Sequence, residues 1–448
     1  MKKYLFTLLL TQVMVDLNLR LFDTDTQVTS LATEGNDLSP EMRTYYQNRL
    51  IDHSEPKLLH SMFAQKAPIP SGSGKRTEFR KYPPLKKALT KLTEGVTPPG
   101  NKLDYTTLSV EVDQYGDYTR ISDVLKTTAV DSQILVATKR HGSQAGRTLD
   151  TVHREVLTAG SVKIMAPEVA SDGTETDVLL REDVTAGCYL TSDVLDYAAA
   201  TLERENAEKA VDNCWACIIH TDIKHDLLRE LGEGGWLDAA KYASPENIAK
   251  GELGMYNSIR FFATTEAKII GPADMLGIEG YNRTTLNALV DASTDIYPAD
   301  PFTAAQAAVV TAAIAAGAVY TMYVDEVECT VASVVGGAVG TCKIVLTEAI
   351  TAAAGDMVCG TGAGKDGSAI YCTMMLGADA FGVTEIEGLG LEHIVTQLGS
   401  AGSADPLKQR STVGWKATAA AIRLMEEYMV RIEHTSKKFR LKAVSNLY

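Results

Sequence analysis

Apolar residues recur with two spacings along this chain, and each spacing predicts a different element. Leu108, Val110 and Val112 alternate with Ser109, Glu111 and Asp113, which predicts a strand with one apolar face. Thr77–Tyr82 reads as its partner, opened by Ser71-Gly-Ser-Gly74. The residues between them are bracketed by Pro83-Pro84 and Pro98-Pro99 and carry only scattered apolar positions. A segment longer than about 12–15 residues that cannot bury itself is usually functional or disordered. A long projecting hairpin is therefore expected over 70–122.

A long helix is predicted over 132–159. Ala145, Leu149, Val152 and Val156 share one face, and Gly160 closes it. At 1.5 Å per residue such a helix spans about 42 Å. Gly142 and Gly146 weaken it and predict close approach of another backbone. Val162 to Leu190 reads as a hairpin around Ser171-Asp-Gly173, and Ser192 as the cap of a helix reaching Lys209. Cys214 to Ile219 reads as a buried strand, Asp222 to Leu231 as a short helix, and Ile259 to Ala263 as a further strand. Mixed in this order, they predict an α+β layer.

The ends and one internal segment differ in character. Residues 1–37 read as an arm. Lys2-Lys3 before the apolar Tyr4–Leu10 looks like the start of a secretory signal, but no small-x-small cleavage site follows. Ser39, Pro40 and Glu41 open a helix with Met42, Tyr45, Tyr46 and Leu50 on one stripe, ending near Glu55-Pro56. Residues 297–370 hold nine charged residues and eighteen alanines in 74 positions. Thr303 and Gln306 form a capping box there, and short β-rich runs follow at Val319–Val324, Val327–Val334, Cys342–Leu346 and Met357–Cys359. This predicts an inserted β-rich subdomain.

Composition narrows the classes. With 448 residues, 45% hydrophobic and 22% charged, the chain can bury a sizeable core and is not disordered as a whole. No apolar run reaches the roughly 18–20 residues of a membrane-spanning helix. The net charge of -14, from 43 basic and 57 acidic residues, argues against a sequence-reading DNA binder. Against that background the hairpin is unusual. Lys75, Arg76, Arg80, Lys81, Lys86, Lys87 and Lys91 face a single acid, Glu78, within 75–91. These seven make a long basic arm that projects from the body of an acidic protein.

A search for chemistry finds no catalytic constellation. Cys214-x-x-Cys217 has the spacing of a redox pair, yet it lies in an apolar strand rather than at a helix N-terminus that would lower a thiol pKa. No second Cys or His pair stands at zinc spacing. His220, Asp222, His225 and Asp226 are the one cluster resembling metal ligands, and Asp222 is better explained as a helix-opening acid. Ser71-Gly-Ser-Gly-Lys75 lacks the first Gly and the final Ser/Thr of a phosphate loop and precedes a strand. Gly360-x-Gly362-x-Gly364 lacks the dinucleotide spacing. No cofactor, metal or catalysis is expected. Seven cysteines, mostly in apolar runs, read as buried thiols.

Several strings together resemble the major capsid proteins of tailed bacteriophages, in the podovirus-like and prophage-borne branch. They are Leu38-Ser-Pro-Glu-Met42, Leu92-Thr-Glu-Gly-Val-Thr-Pro98, Gln114-Tyr-Gly-Asp-Tyr118 and, most specific, Ser400-Ala-Gly-Ser-Ala-Asp-Pro-Leu-Lys-Gln-Arg-Ser-Thr-Val-Gly-Trp-Lys416. The likeness runs in order over about 38–296 and 371–435. It implies the α+β fold shared by tailed-phage and herpesvirus shells. On that reading 1–37 is the N-terminal arm, 38–69 a helical region, 70–122 the extended loop, and 123–189 a peripheral domain with spine helix 132–159. An axial domain spans 190–296 and 371–407, interrupted by the insertion 297–370, and 408–448 supplies C-terminal strands of the peripheral domain. Residues 2–25 are unlike a typical arm.

The implied function is a structural one: hexamers and pentamers of this chain closing into an icosahedral shell around double-stranded DNA. The implied partners are the chain itself and, as candidates, portal, scaffolding and decoration proteins. The implied location is the virion, after assembly in the host cytoplasm. A non-viral shell around cargo, or a thiol oxidoreductase using Cys214 and Cys217, are the alternatives.

Overall fold

The structure is a computed structural model that describes residues 59–439 apart from 90, 93, 98–99, 129–132, 171, 212, 231–251, 397–406 and 408. The arm expected over 1–37, the helix expected after Ser39 and positions 400–406 of the C-terminal string lie outside the described residues.

The chain enters through β1 (Gln65–Lys66), then runs out and back as β2 (Arg76–Lys81) and β3 (Thr106–Glu111). These pair antiparallel, with Arg76 opposite Glu111 and Phe79 opposite Leu108. After Val112 come β4 (Asp113–Ser122), α1 (Asp123–Thr128) and the long α2 (Gln133–Thr158). α2 occupies the stretch whose spacing predicts a helix, and it buries Ala145 and Leu157 completely. The close approach expected at Gly142 is absent, since a Cβ there would meet nothing within 4 Å.

The single hairpin expected over 162–190 is instead two structures. β5 (Lys163–Met165) joins a large sheet, while β6 (Glu168–Val169) and β7 (Glu175–Thr176) form a small ribbon. The next helix, α3 (Ser192–Arg204), is capped by Thr191, whose hydroxyl accepts from the Val194 N–H. The cap therefore sits one residue before the expected Ser192. The helix ends at Arg204 rather than Lys209 because the chain turns at Asn206, with φ +55°. There follow β8 (Trp215–His220), α4 (Thr221–Glu230), β9 (Glu252–Tyr256), β10 (Ile259–Thr264) and β11 (Ile269–Ile270).

The β-rich stretch comprises β12 (Arg283–Thr285), β13 (Val290–Ile296), α5 (Ala304–Ala315), β14 (Thr321–Val324), β15 (Val327–Val335), β16 (Lys343–Ala352) and β17 (Met357–Gly360). The chain closes with β18 (Ile370–Leu376), β19 (Phe381–Thr384), β20 (Glu392–Thr396), β21 (Arg410–Arg423) and β22 (Met429–His434).

Three sheets organise these elements. The seven-stranded sheet runs β5-β22-β18-β8-β10-β9, with β11 on β18. β8, β18 and β22 are buried at every position, as strands covered on both faces must be. Alternation along β8 assigns its residues to two cores. Trp215, Cys217 and Ile219 pack with Leu195, Ala198 and Leu202 of α3, whereas Ala216 and Ile218 pack with Leu157 of α2, Phe262 and Phe381. The five-stranded sheet is built around β21, which carries β4 along one edge and β20 then β19 along the other. α2 lies against it, with Ala145 and Leu149 on Trp415 and Ala417.

The six-stranded sheet, β12-β17-β14-β15-β16-β13, has a separate core whose buried residues all fall between Met275 and Val358. Here the expected boundary of 297–370 is corrected. β12 and β13 precede residue 297 yet pair with β17 and β16, while β18 at Ile370 belongs to the large sheet. The capping box is present: the Thr303 hydroxyl accepts from the Gln306 N–H at 3.2 Å, and the Thr303 N–H donates to Gln306 Oε1 at 2.8 Å.

Candidate functional site

The β2–β3 hairpin leaves the body from an apolar footing. Val112 and Val110 pack with Ile69, Ile386 and Ala420 of the five-stranded sheet, and the Val112 N–H donates to the Lys75 carbonyl at 2.9 Å. The inward apolar face of β3 is what fastens the arm.

The seven basic residues divide into two groups. Those along the strands are engaged within the same chain. Lys75 pairs with Glu111 at 2.9 Å, Arg76 Nη2 donates to the Ser109 hydroxyl at 2.6 Å, and the Arg80 guanidinium lies 5.7 Å from the Tyr105 ring centre. Lys81 reaches Glu427 at 3.2 Å, across to the turn before β22. Such exposed contacts add little stability, because water screens them. The second group, Lys86, Lys87 and Lys91, lies beyond the strands, is exposed, and makes no ion pair among the described residues.

The tip also carries apolar side chains that the scattered pattern undersold. Leu89 is 84% exposed and Leu92 77%, and Leu85, Val96, Leu103 and Tyr105 are exposed as well. Exposed large apolar residues clustered on one projection mark an interaction surface. Their signal was present in the interleaving Leu85-Lys86-Lys87-Ala88-Leu89, which reads as cationic and apolar at once. An arm of this kind can dock on an acidic, partly apolar surface.

The two clusters weighed for chemistry have other roles. Cys217 is wholly buried in the core under α3, and burial pushes its thiol far up. The Cys214 thiol donates to Met255 Sδ at 3.5 Å instead of facing Cys217. A raised thiol pKa is the reverse of what a redox nucleophile needs. Asp222 accepts from the Tyr371 hydroxyl at 3.0 Å, and His220 Nδ1 lies 3.3 Å from Asp222. Asp226 Oδ2 accepts from the Ser436 hydroxyl at 2.5 Å and from the Lys437 N–H at 2.8 Å. Asp226 thereby pins the chain after β22 onto α4, while Asp222 ties α4 to Tyr371 on β18, so both carboxylates take part in a structural network.

No family model and no curated protein matches this chain. Among solved structures, the capsid of Ralstonia phage GP4 matches with a TM-score of 0.52 at 12% identity, covering 92% of this chain and 99% of that one. The capsid structure of the cyanophage P-SCSP1u matches with a TM-score of 0.50 at 10% identity, covering 91% and 98%. At these identities the likeness is one of fold. The chain has the α+β fold of these phage capsid subunits.

Proposed function

We propose that this chain is the major capsid protein of a tailed bacteriophage, assembling through hexamers and pentamers into an icosahedral shell around double-stranded DNA. The observation that carries the reading is the correspondence to two phage capsid subunits over nearly the whole of both chains. A projecting arm with unengaged cations and exposed leucines, on a chain of net charge -14, supports it from the chemistry. Self-repulsion keeps the separate subunits apart, and a specific local contact must overcome it. The seven basic residues from Lys75 to Lys91 are proposed as part of that contact. The role is structural, without catalysis, cofactor or metal.

Portal, scaffolding and decoration proteins are proposed partners, and the virion, after assembly in the host cytoplasm, is the proposed location. The β-rich unit with its own core is proposed to face outward, because its acids would otherwise crowd packaged DNA. Electron microscopy of the purified protein tests the reading. Closed shells of uniform size are expected, and a protein that stays monomeric under every assembly condition would refute it. Shells isolated from the producing cell should contain DNA; shells filled with protein cargo would indicate a non-viral compartment.

A further inference from the structure

We propose that the groove between β5, the β6–β7 ribbon and α3 receives the arm tip of a second copy of this chain. The proposal rests on the self-assembly reading above and names the surface that the arm engages.

The groove has a volume of about 440 Å³ and is partly open to solvent. Met165 from β5 contributes to an apolar lining, and Leu179 and Tyr197 project beside it, 79% and 60% exposed. Three acids line the same groove: Glu175 on β7, Asp177 after it, and Asp193 in the first turn of α3. Lys163 is the one base among its lining residues. None of the three acids takes part in an ion pair among the described residues.

The arm tip matches this surface in both respects. Leu85, Leu89 and Leu92 are exposed at spacings of four and three, and Lys86, Lys87 and Lys91 lie between and beside them. Leucines seated against Met165, Leu179 and Tyr197 would remove apolar surface from water on both partners. Lysines beside Glu175, Asp177 and Asp193 would set the register and steer the encounter, since complementary charge contributes specificity and on-rate. A second copy is the occupant because, among the described residues, the arm's ion pairs are those of Lys75 and Lys81 near its base, and the tip lysines pair with no acid of their own subunit. One surface meeting a different surface on the next copy is a head-to-tail contact, the kind that closes rings.

The test uses the full-length protein under conditions in which it forms shells. Leu89→Cys and Leu179→Cys are made as separate variants, mixed, assembled and oxidised. All seven native cysteines are buried, which keeps the background low. A disulfide-linked dimer is expected from the mixture and not from either variant alone. When both substitutions are placed in one chain, cross-linked multimers are expected; cross-linking confined to monomers would put the tip in its own groove and overturn the proposal.

Charge exchange gives an independent readout. Lys86→Glu with Lys87→Glu, and Glu175→Lys with Asp177→Lys, should each lower the assembled fraction at low salt by about tenfold, and the fourfold variant should recover most of it. Wild-type shells with neither cross-link nor recovery would overturn the groove while leaving self-assembly intact. A wild-type protein that never forms shells would remove the self-assembly reading, and the groove with it.

Discussion

Arg181 holds Glu433 with two arms of its guanidinium, Nε on Oε2 and Nη2 on Oε1, each at 2.6 Å. Glu433 sits on β22 with no exposed surface, and Arg431 Nε lies 2.8 Å from its Oε1. Burial alone would push the Glu433 carboxyl up. The Arg181 hydrogen bonds and charge, helped by Arg431 and Lys163, more than offset this and hold it below the usual range. The pair ties the end of the large sheet to the strap that leads into α3.

Removing one partner of such a pair strands a buried charge, which costs about 3–5 kcal/mol. Arg181→Met should lower the stability of the unassembled subunit by the lower part of that range, since Arg431 stays, as measured by urea unfolding. Because the folded carboxyl is depressed, its contribution is complete above the unfolded value of about 4.3 and is lost as pH falls through the lower folded value. In the variant, where burial dominates and holds the folded carboxyl above its unfolded value, the dependence should reverse, with stability falling as pH rises.

His434 provides an acid-sensitive counterpart. Its Nδ1–H donates to the Thr435 carbonyl at 3.1 Å, so Nε2 accepts from the Thr373 hydroxyl at 2.8 Å. Complete burial outweighs the nearby carboxylates and lowers its pKa to about 4. The unfolded chain then binds the proton more tightly, so stability is complete above about pH 6.5 and declines as pH falls toward 4. The decline amounts to about 3 kcal/mol. Thermal unfolding of His434→Gln should fall less steeply over that window than the parent.

Gly116 and Gly414 mark one place where two backbones meet closely. A Cβ on Gly414 would lie 2.7 Å from Tyr118 Cβ and 2.8 Å from the Asp117 carbonyl, and one on Gly116 would lie 2.7 Å from the Trp415 carbonyl. Gly414→Ala should destabilise by about 1–3 kcal/mol through the forced shift of β4 from β21. Gly142→Ala, in open space on α2, should stabilise by about 1 kcal/mol. Paired denaturation curves decide the matter.

The β-rich unit has ends that touch. The Ala273 N–H donates to the Thr361 carbonyl at 2.8 Å. Excising 274–360 and joining Ala273 to Thr361 through a short Gly-Ser link should leave a folded subunit. Excising 298–369 should not, because it leaves β12 and β13 without β17 and β16. Circular dichroism and gel filtration of both deletions would separate these outcomes, and insolubility of the first would show that the unit belongs to the main core.

Cysteine accessibility is a simple check on the absence of thiol chemistry. With all seven thiols buried and Cys372 pushed up to about 12 by burial, native protein should label with less than one equivalent of a thiol reagent, and unfolding should expose all seven. Fast labelling of the native protein at Cys214 or Cys217 would reopen the redox reading.

Elements written by short-range periodicity were legible from the residues alone. α2 announces itself through Ala145, Leu149, Val152 and Val156, the arm through the alternation at Leu108, Val110 and Val112, and α5 through its Thr303–Gln306 box. The basic run of the arm was equally plain, since charge is counted residue by residue. β4 was not legible: Asp113–Ser122 is almost wholly exposed and polar, and it is a strand because ten of its residues pair with β21, nearly three hundred positions later. The same non-local pairing set the boundaries of the β-rich unit and made Gly116 and Gly414, unlike Gly142, points of close approach. It likewise left the tip leucines exposed beyond the paired part of the arm. Periodicity reports which face a residue offers to a core. Only the folded chain decides which distant backbone satisfies its hydrogen bonds, because that choice is made by register between segments far apart in sequence.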